Sequence, residues 1–264
     1  MAPKYPVEAF AGTSPYYLRF RPTYPSELLK DLLERAQVHS SDQLLDLACG
    51  PGRITLALSQ SFKSVCAVDL EPEMIAEAKQ EASRVGVSNI TWHVGRAEEF
   101  EGPREPFKLV TIGDAFHRLD QERILQLVMA WLEPRGGLAI VGSGYLLSGD
   151  LPWQRALADV QERWTGQKAS VAARASEENI RSVEIMLRRF QFTDVSSFSF
   201  SVSHTWTADS IVGYLYSTSN CSKRILGENA RPFEDEVRQV LRRCSENGTF
   251  SDTLVFGYTF GHNH

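Results

Sequence analysis

The sequence predicts an α/β fold built on a doubly wound, mostly parallel sheet, and three observations carry that prediction. From residue 26 onward, strand-like and helix-period segments alternate, the pattern of a sheet with helices on its faces. Five such strand segments lie before residue 145, and right-handed crossovers would place the loops after all of them on one side. The first strand runs straight into a glycine-rich turn, "LLDLACGPGRI", Leu44 to Ile54, so a polar ligand could meet backbone N–H groups there.

Each element has its own signal. "ELLKDLLERA" (27–36) has helix periodicity, "QLLDLA" (43–48) reads as a strand, and "GRITLALSQSF" as the next helix. "SVCAVDL" (64–70) is a valine-rich strand, followed by a helix from Glu71 in which Met74, Ala78 and Ala82 recur on one face. "NITWHV" (89–94) and "FKLVTI" (107–112) are the third and fourth strands, and Ile124, Leu127, Val128 and Trp131 mark the helix that follows. "GGLAIVGS" is the fifth strand. Beyond Gly144 the rhythm changes to two helices, around 151–165 and 177–190, with no strand between them. A strand "DVSSFSFSVSHTW", helices "ADSIVGYLYS" and "RPFEDEVRQVLRRC", and a terminal strand "TFSDTLVFGYTFG" complete the chain. The expected organisation is one domain: an N-terminal lid and helix (1–40), a ligand-binding core (41–144), a helical cap inserted after the fifth strand (145–190), and C-terminal strands and helices (191–264).

Composition narrows the function. The 264 residues are 42% hydrophobic and 23% charged, an ordinary globular balance. A formal net charge of -5 argues against a nucleic-acid partner held by phosphate neutralisation. Cys49, Cys66, Cys221 and Cys244 form no CxxC pair, so no zinc site or disulfide framework is expected. The N-terminus lacks the apolar core of a secretory signal, and no window approaches a membrane span, which points to the cytoplasm. The sequons at Asn89, Asn220 and Asn247 are then without consequence.

The turn itself discriminates between cofactors. Gly50 and Gly52 would let the backbone come close to a ligand. No Gly-Lys-Ser/Thr follows, so it is not a P-loop. A nicotinamide dinucleotide site would use Gly50, Gly52 and the residue at 55 as its GxGxxG, with Asp69 downstream. Thr55 stands where the third glycine belongs, and Asp46 would face pyrophosphate in a dinucleotide. An ammonium, in a cofactor bearing an amino acid, suits Asp46 better.

"LLDLACGPGR", "VCAVDLEPEMIAEAK", the "VGRAEEF" turn, "VTIGDAFHRLD" and "LEPRGGLAIV" resemble, in order and spacing, the motifs of class I S-adenosylmethionine-dependent methyltransferases. "YLRFRPTYP" is similar to the N-terminal signature of the trans-aconitate methyltransferase-like branch. The likeness covers residues 17–145 and, more weakly, the terminal strand. It implies a seven-stranded sheet with the last strand antiparallel, S-adenosylmethionine as cofactor, and methyl transfer to an O or N atom, a carboxylate included, of a small molecule. By the same resemblance Asp46, Ala48, Gly50 and Gly52 cradle the methionine part and Asp69 takes the ribose hydroxyls. Leu70 and Met74 pack on the adenine, Ala97 and Glu98 serve its amino edge where relatives carry an acid at the position of Arg96, and Asp114 closes the cofactor site. Tyr17 and Arg21 would grip the cofactor's carboxylate.

Methyl transfer from a sulfonium is an in-line displacement that needs alignment, dry walls and a deprotonated acceptor. His117, just past the fourth strand, is the candidate base or substrate contact. Of the late aromatics, Tyr145 and Trp153 are the candidate substrate walls. Two other readings share these residues: a nicotinamide-dependent oxidoreductase, and a protein of the same fold that binds the cofactor without methylating.

Overall fold

The structure is a computed structural model and describes residues 10–102, 104–168 and 177–264. Seven strands form one sheet: β1 (Gln43–Leu47), β2 (Ser64–Asp69), β3 (Ile90–Val94), β4 (Phe107–Gly113), β5 (Leu132–Ser143), β6 (Thr193–Thr207) and β7 (Thr249–His262). Their spatial order is β3-β2-β1-β4-β5-β7-β6. The strands β1 to β5 pair in parallel, whereas β7 slots between β5 and β6 and is antiparallel to both. The expected doubly wound sheet with an antiparallel final strand is therefore the fold observed. Winding reverses between β1 and β4, and the crevice beyond their carboxyl ends is where such sheets bind ligands.

Ten helices cover the sheet among the described residues: α1 (Ser14–Phe20), α2 (Ser26–Arg35), α3 (Arg53–Leu58), α4 (Pro72–Val85), α5 (Gln121–Trp131), α6 (Pro152–Thr165), α7 (Glu177–Arg189), α8 (Ala208–Tyr216), α9 (Lys223–Leu226) and α10 (Ala230–Cys244). Several of them turn an apolar stripe toward the sheet. On one face, Leu28 and Leu32 of α2 and Phe233, Val237 and Leu241 of α10 join Leu44, Leu109 and Val141 in a single cluster. On the other face, Ile124, Leu125 and Val128 of α5 and Leu187 of α7 pack on Leu45, Val110 and Leu138. Strand β1 divides its leucines between the two clusters because successive side chains alternate.

The stretch 145–190 was expected to act as one cap, and its two helices part company. Helix α6 buries Trp153, Leu157 and Val160 in the cluster that holds α10. Helix α7 belongs to the other face, where Leu187 is fully buried beneath β6. The reason is topological: α7 precedes β6, so it serves as a sheet-covering helix of the alternation. Residues 169–176 of that expected cap, and 1–9 of the expected lid, lie outside the described residues. Among the described residues no helix is long and apolar enough to cross a membrane.

The N-terminal arm contains a helix, α1, that lacked an obvious signal. Pro15 fits its first turn, where a missing N–H costs nothing. Gly12 donates its N–H to Glu73 at 2.7 Å, which ties the arm to α4.

Candidate functional site

Three cavities adjoin at the carboxyl ends of β1, β2, β4 and β5. The first, of about 140 Å³, is lined by Ala48, Gly50, Asp69, Leu70, Met74, Ala97, Glu98 and Asp114, with Phe10 and Tyr17 from the N-terminal arm. A second, of about 30 Å³, continues from it and is lined by Tyr17, Tyr24, Asp46, Ala48, Gly50, Arg53 and Gly113. The third, of about 480 Å³, lies over β5 and β7 and is lined in part by Arg21, His117, Arg118 and Tyr145. The large and the middle cavity share Phe10, Asp114, Ala115 and Arg118.

The backbone of the glycine-rich turn is left-handed at Ala48, Gly50 and Gly52, with φ of 52°, 56° and 82°. At Gly50 a Cβ would meet nothing within 4 Å, because its open side is the cavity. Gly52 is different. A Cβ there would reach the Trp92 ring at 3.0 Å and Ala78 at 3.4 Å, so this glycine lets the turn pack on β3 and α4 and does not line the 140 Å³ cavity. Its expected place in the cradle is corrected accordingly.

Asp69, at the end of β2, accepts the N–H of Gly50 at 2.7 Å on one oxygen and that of Glu71 at 2.9 Å on the other. A carboxylate has about four acceptor sites, so each oxygen keeps one for a vicinal diol. Burial pushes its carboxyl up, and the two backbone hydrogen bonds pull it back. Leu70, Met74 and Ala97 make the apolar walls a planar base requires, and Met74 is also buried. The residues therefore fit an adenosine group: paired acceptors for the ribose and a flat slot for the ring. Glu98 borders this slot, but its Oε1 accepts the N–H of Asp120 at 3.0 Å and its Oε2 lies 3.7 Å from Arg96. The basic residue that replaces the usual acid thus holds its neighbour in place.

Asp46 sits at the floor of the small recess, 1% exposed. It pairs in register with Thr111 of β4 and accepts that hydroxyl at 2.8 Å. Its second oxygen accepts the hydroxyl of Thr55. Thr55 stands where a dinucleotide fold would carry its third glycine, and this bond gives it a role. Burial outweighs these bonds, so the Asp46 carboxyl is pushed up to about 6.

Two expected contacts lie elsewhere. Arg21 lines the large cavity and not the 140 Å³ one. Its Nε donates to Ser217 Oγ at 2.7 Å, and its guanidinium sits 4.7 Å and 4.5 Å from the ring centres of Tyr17 and Tyr214. Trp153 is 7% exposed and packs on Phe250 at 5.5 Å, so it is core and not a substrate wall. Packing wins there because Trp153 opens α6, whose apolar face turns toward α10 and β7.

Asp114, with φ of 54°, is a bracket between the cavities. It accepts the N–H and hydroxyl of Ser143 at 2.9 and 2.8 Å and the hydroxyl of Tyr24 at 3.2 Å. That ties the loop after β4 to β5 and to the N-terminal arm. The same loop carries His117, within a short turn Phe116–Arg118 that faces the large cavity. Tyr145 faces it too and donates to Gln161 at 2.8 Å. Arg53, Phe10 and Ala115 are lining residues that sequence reasoning did not single out. Arg53 directly follows the glycine turn, and that adjacency was the available signal.

Comparison with known proteins agrees with this geometry. The methyltransferase domain family matches residues 44–136. An uncharacterized RNA methyltransferase of Streptococcus mutans is 35% identical over 82 residues, 31% of this chain and 18% of that protein. An uncharacterized methyltransferase of Mycobacterium tuberculosis is 30% identical over 152 residues, 58% of each. The chain thus spans about a fifth of the length of the former and somewhat over half of the latter. Among solved structures, a putative type II methyltransferase from Anaeromyxobacter dehalogenans superposes with a TM-score of 0.59 at 20% identity, covering 93% of this chain and 98% of that one. The fold is that of the class I methyltransferases, and residues 44–136 match the methyltransferase domain family.

Proposed function

We propose that the chain transfers a methyl group from S-adenosylmethionine to an oxygen or nitrogen atom of a small molecule that bears an anionic group. The observation that carries this reading is the 480 Å³ cavity beside the cofactor cavity, which shares Asp114 and Ala115 with it. In a chain whose formal net charge is -5, that cavity is lined by Arg21, Arg118 and Lys168 against one carboxylate, Asp114. The cofactor, when bound, supplies an electrophilic methyl on a cationic sulfur. The chain supplies the rest. Asp69 and the apolar slot hold the adenosine, the walls of the large cavity exclude water, and the cations orient the acceptor. His117 takes the proton where the acceptor is a hydroxyl or an ammonium, and an acceptor carboxylate needs no base.

Relatives named as RNA methyltransferases support a second reading, methylation of RNA. A concave cavity of small-molecule size and a net negative chain favour the small molecule. Incubation with methyl-labelled S-adenosylmethionine and, separately, a pool of small organic acids and total RNA tests the choice. Label in the small-molecule fraction is expected; label in RNA alone would reverse the assignment.

A further inference from the structure

The cofactor's amino-acid end is a zwitterion, and resting on the cofactor reading above, the structure offers it one anion and one cation in a single recess. Asp46 and Arg53 line the same 30 Å³ space, which joins the adenosine cavity through Tyr17, Ala48, Gly50 and Gly113. Arg21 lines neither of these two spaces. We propose that Arg53 is the residue that takes the cofactor's carboxylate, which leaves Arg21 to the acceptor cavity.

The two arginines differ in how their charge is used. The guanidinium of Arg21 is enclosed between the rings of Tyr17 and Tyr214 and spends its donors on Ser217 and Tyr214. Arg53 is only partly buried. Its Nη2 donates to the carbonyl of Pro22, and its guanidinium lies over Tyr24 at 4.5 Å. Among the described residues no carboxylate lies within 4 Å of Arg53. A planar fork has five donors and matches a carboxylate in two places, so the bond to Pro22 and the stack on Tyr24 would aim the fork while leaving donors for the ligand. The spacing is local: Arg53 follows the turn whose Gly50 N–H is fixed by Asp69. The ribose contact and the carboxylate contact are thereby held at a set separation by one rigid turn. An ammonium entering the recess would offset the burial that raises the Asp46 carboxyl.

Two ligands separate this role from a merely structural one. S-adenosylhomocysteine carries the amino acid, and methylthioadenosine keeps the adenosine and sulfur without it. Calorimetric dissociation constants for both are compared in the unaltered chain, Arg53→Met, Arg53→Lys and Arg21→Met. The expected result is that Arg53→Met weakens S-adenosylhomocysteine roughly 10- to 100-fold, leaves methylthioadenosine within about twofold, and is partly rescued in Arg53→Lys. Arg21→Met is expected to leave the ratio of the two constants as it is. Equal weakening of both ligands, no weakening of either, or a selective loss in Arg21→Met would each overturn the assignment. If the unaltered chain binds neither ligand, the cofactor reading itself fails.

Discussion

Asp46→Asn is expected to stabilise the chain in the absence of cofactor, and by an amount that depends on pH. The carboxyl is pushed from 3.8 to about 6 because burial outweighs the two threonine hydroxyls. An acid whose folded value is raised binds its proton first in the native state. Native stability from this group is therefore lowest above about pH 6, rises as pH falls through that value, and is fully recovered below 3.8. The rise corresponds to about 3 kcal/mol at pH 8, of which about half is recovered at pH 5. Asparagine carries no charge and keeps an acceptor and a donor for the hydroxyls of Thr55 and Thr111. Urea unfolding at pH 8 should then show the variant more stable by ~1 to 3 kcal/mol, with the gap roughly halved at pH 5. A variant less stable than the parent at pH 8, or a gap unchanged between the two pH values, would refute the reasoning.

Gly52→Ala should destabilise by ~1 to 3 kcal/mol, from the left-handed backbone and the contact with Trp92, with methylthioadenosine affinity retained in the folded fraction; a neutral effect on the thermal midpoint would contradict that packing role. Trp153→Ala should cost ~3 to 5 kcal/mol by urea unfolding, as core aromatics do, and a change confined to acceptor affinity would return it to the substrate wall. His117→Ala should leave S-adenosylhomocysteine affinity within about twofold and lower turnover of a hydroxyl or amine acceptor by roughly 100-fold or more. Unchanged turnover would remove the base.

Much of this was legible from periodicity. The parallel core strands and α2, α4, α5 and α10 follow from apolar residues at strand or helix spacing, since each element buries one defined face. The partition of α6 and α7 between the two faces was not, because both are amphipathic and only the neighbouring strands decide where the stripe goes. At the site, Asp69, Leu70, Met74 and Ala97, which lie in separate motifs, come together around one cavity of about 140 Å³. Gly52 and Trp153 show the limit: glycine types and aromatic types do not say whether a ligand or the core occupies the space beside them. Arg21 and Arg53 differ by which way a long side chain turns, and that is set by Ser217, Tyr214 and Pro22, residues distant from one or the other in sequence.

The most direct test is a calorimetric titration of the unaltered chain and of Asp69→Ala with S-adenosylhomocysteine, alongside oxidised nicotinamide adenine dinucleotide. Asp69 holds the turn through Gly50 and offers the remaining acceptor sites to the ribose. The expected result is binding of S-adenosylhomocysteine alone, lost by roughly 100-fold or more in Asp69→Ala as the paired acceptors go. Binding of the dinucleotide without S-adenosylhomocysteine, or an Asp69→Ala variant that binds as tightly as its parent, would contradict the account.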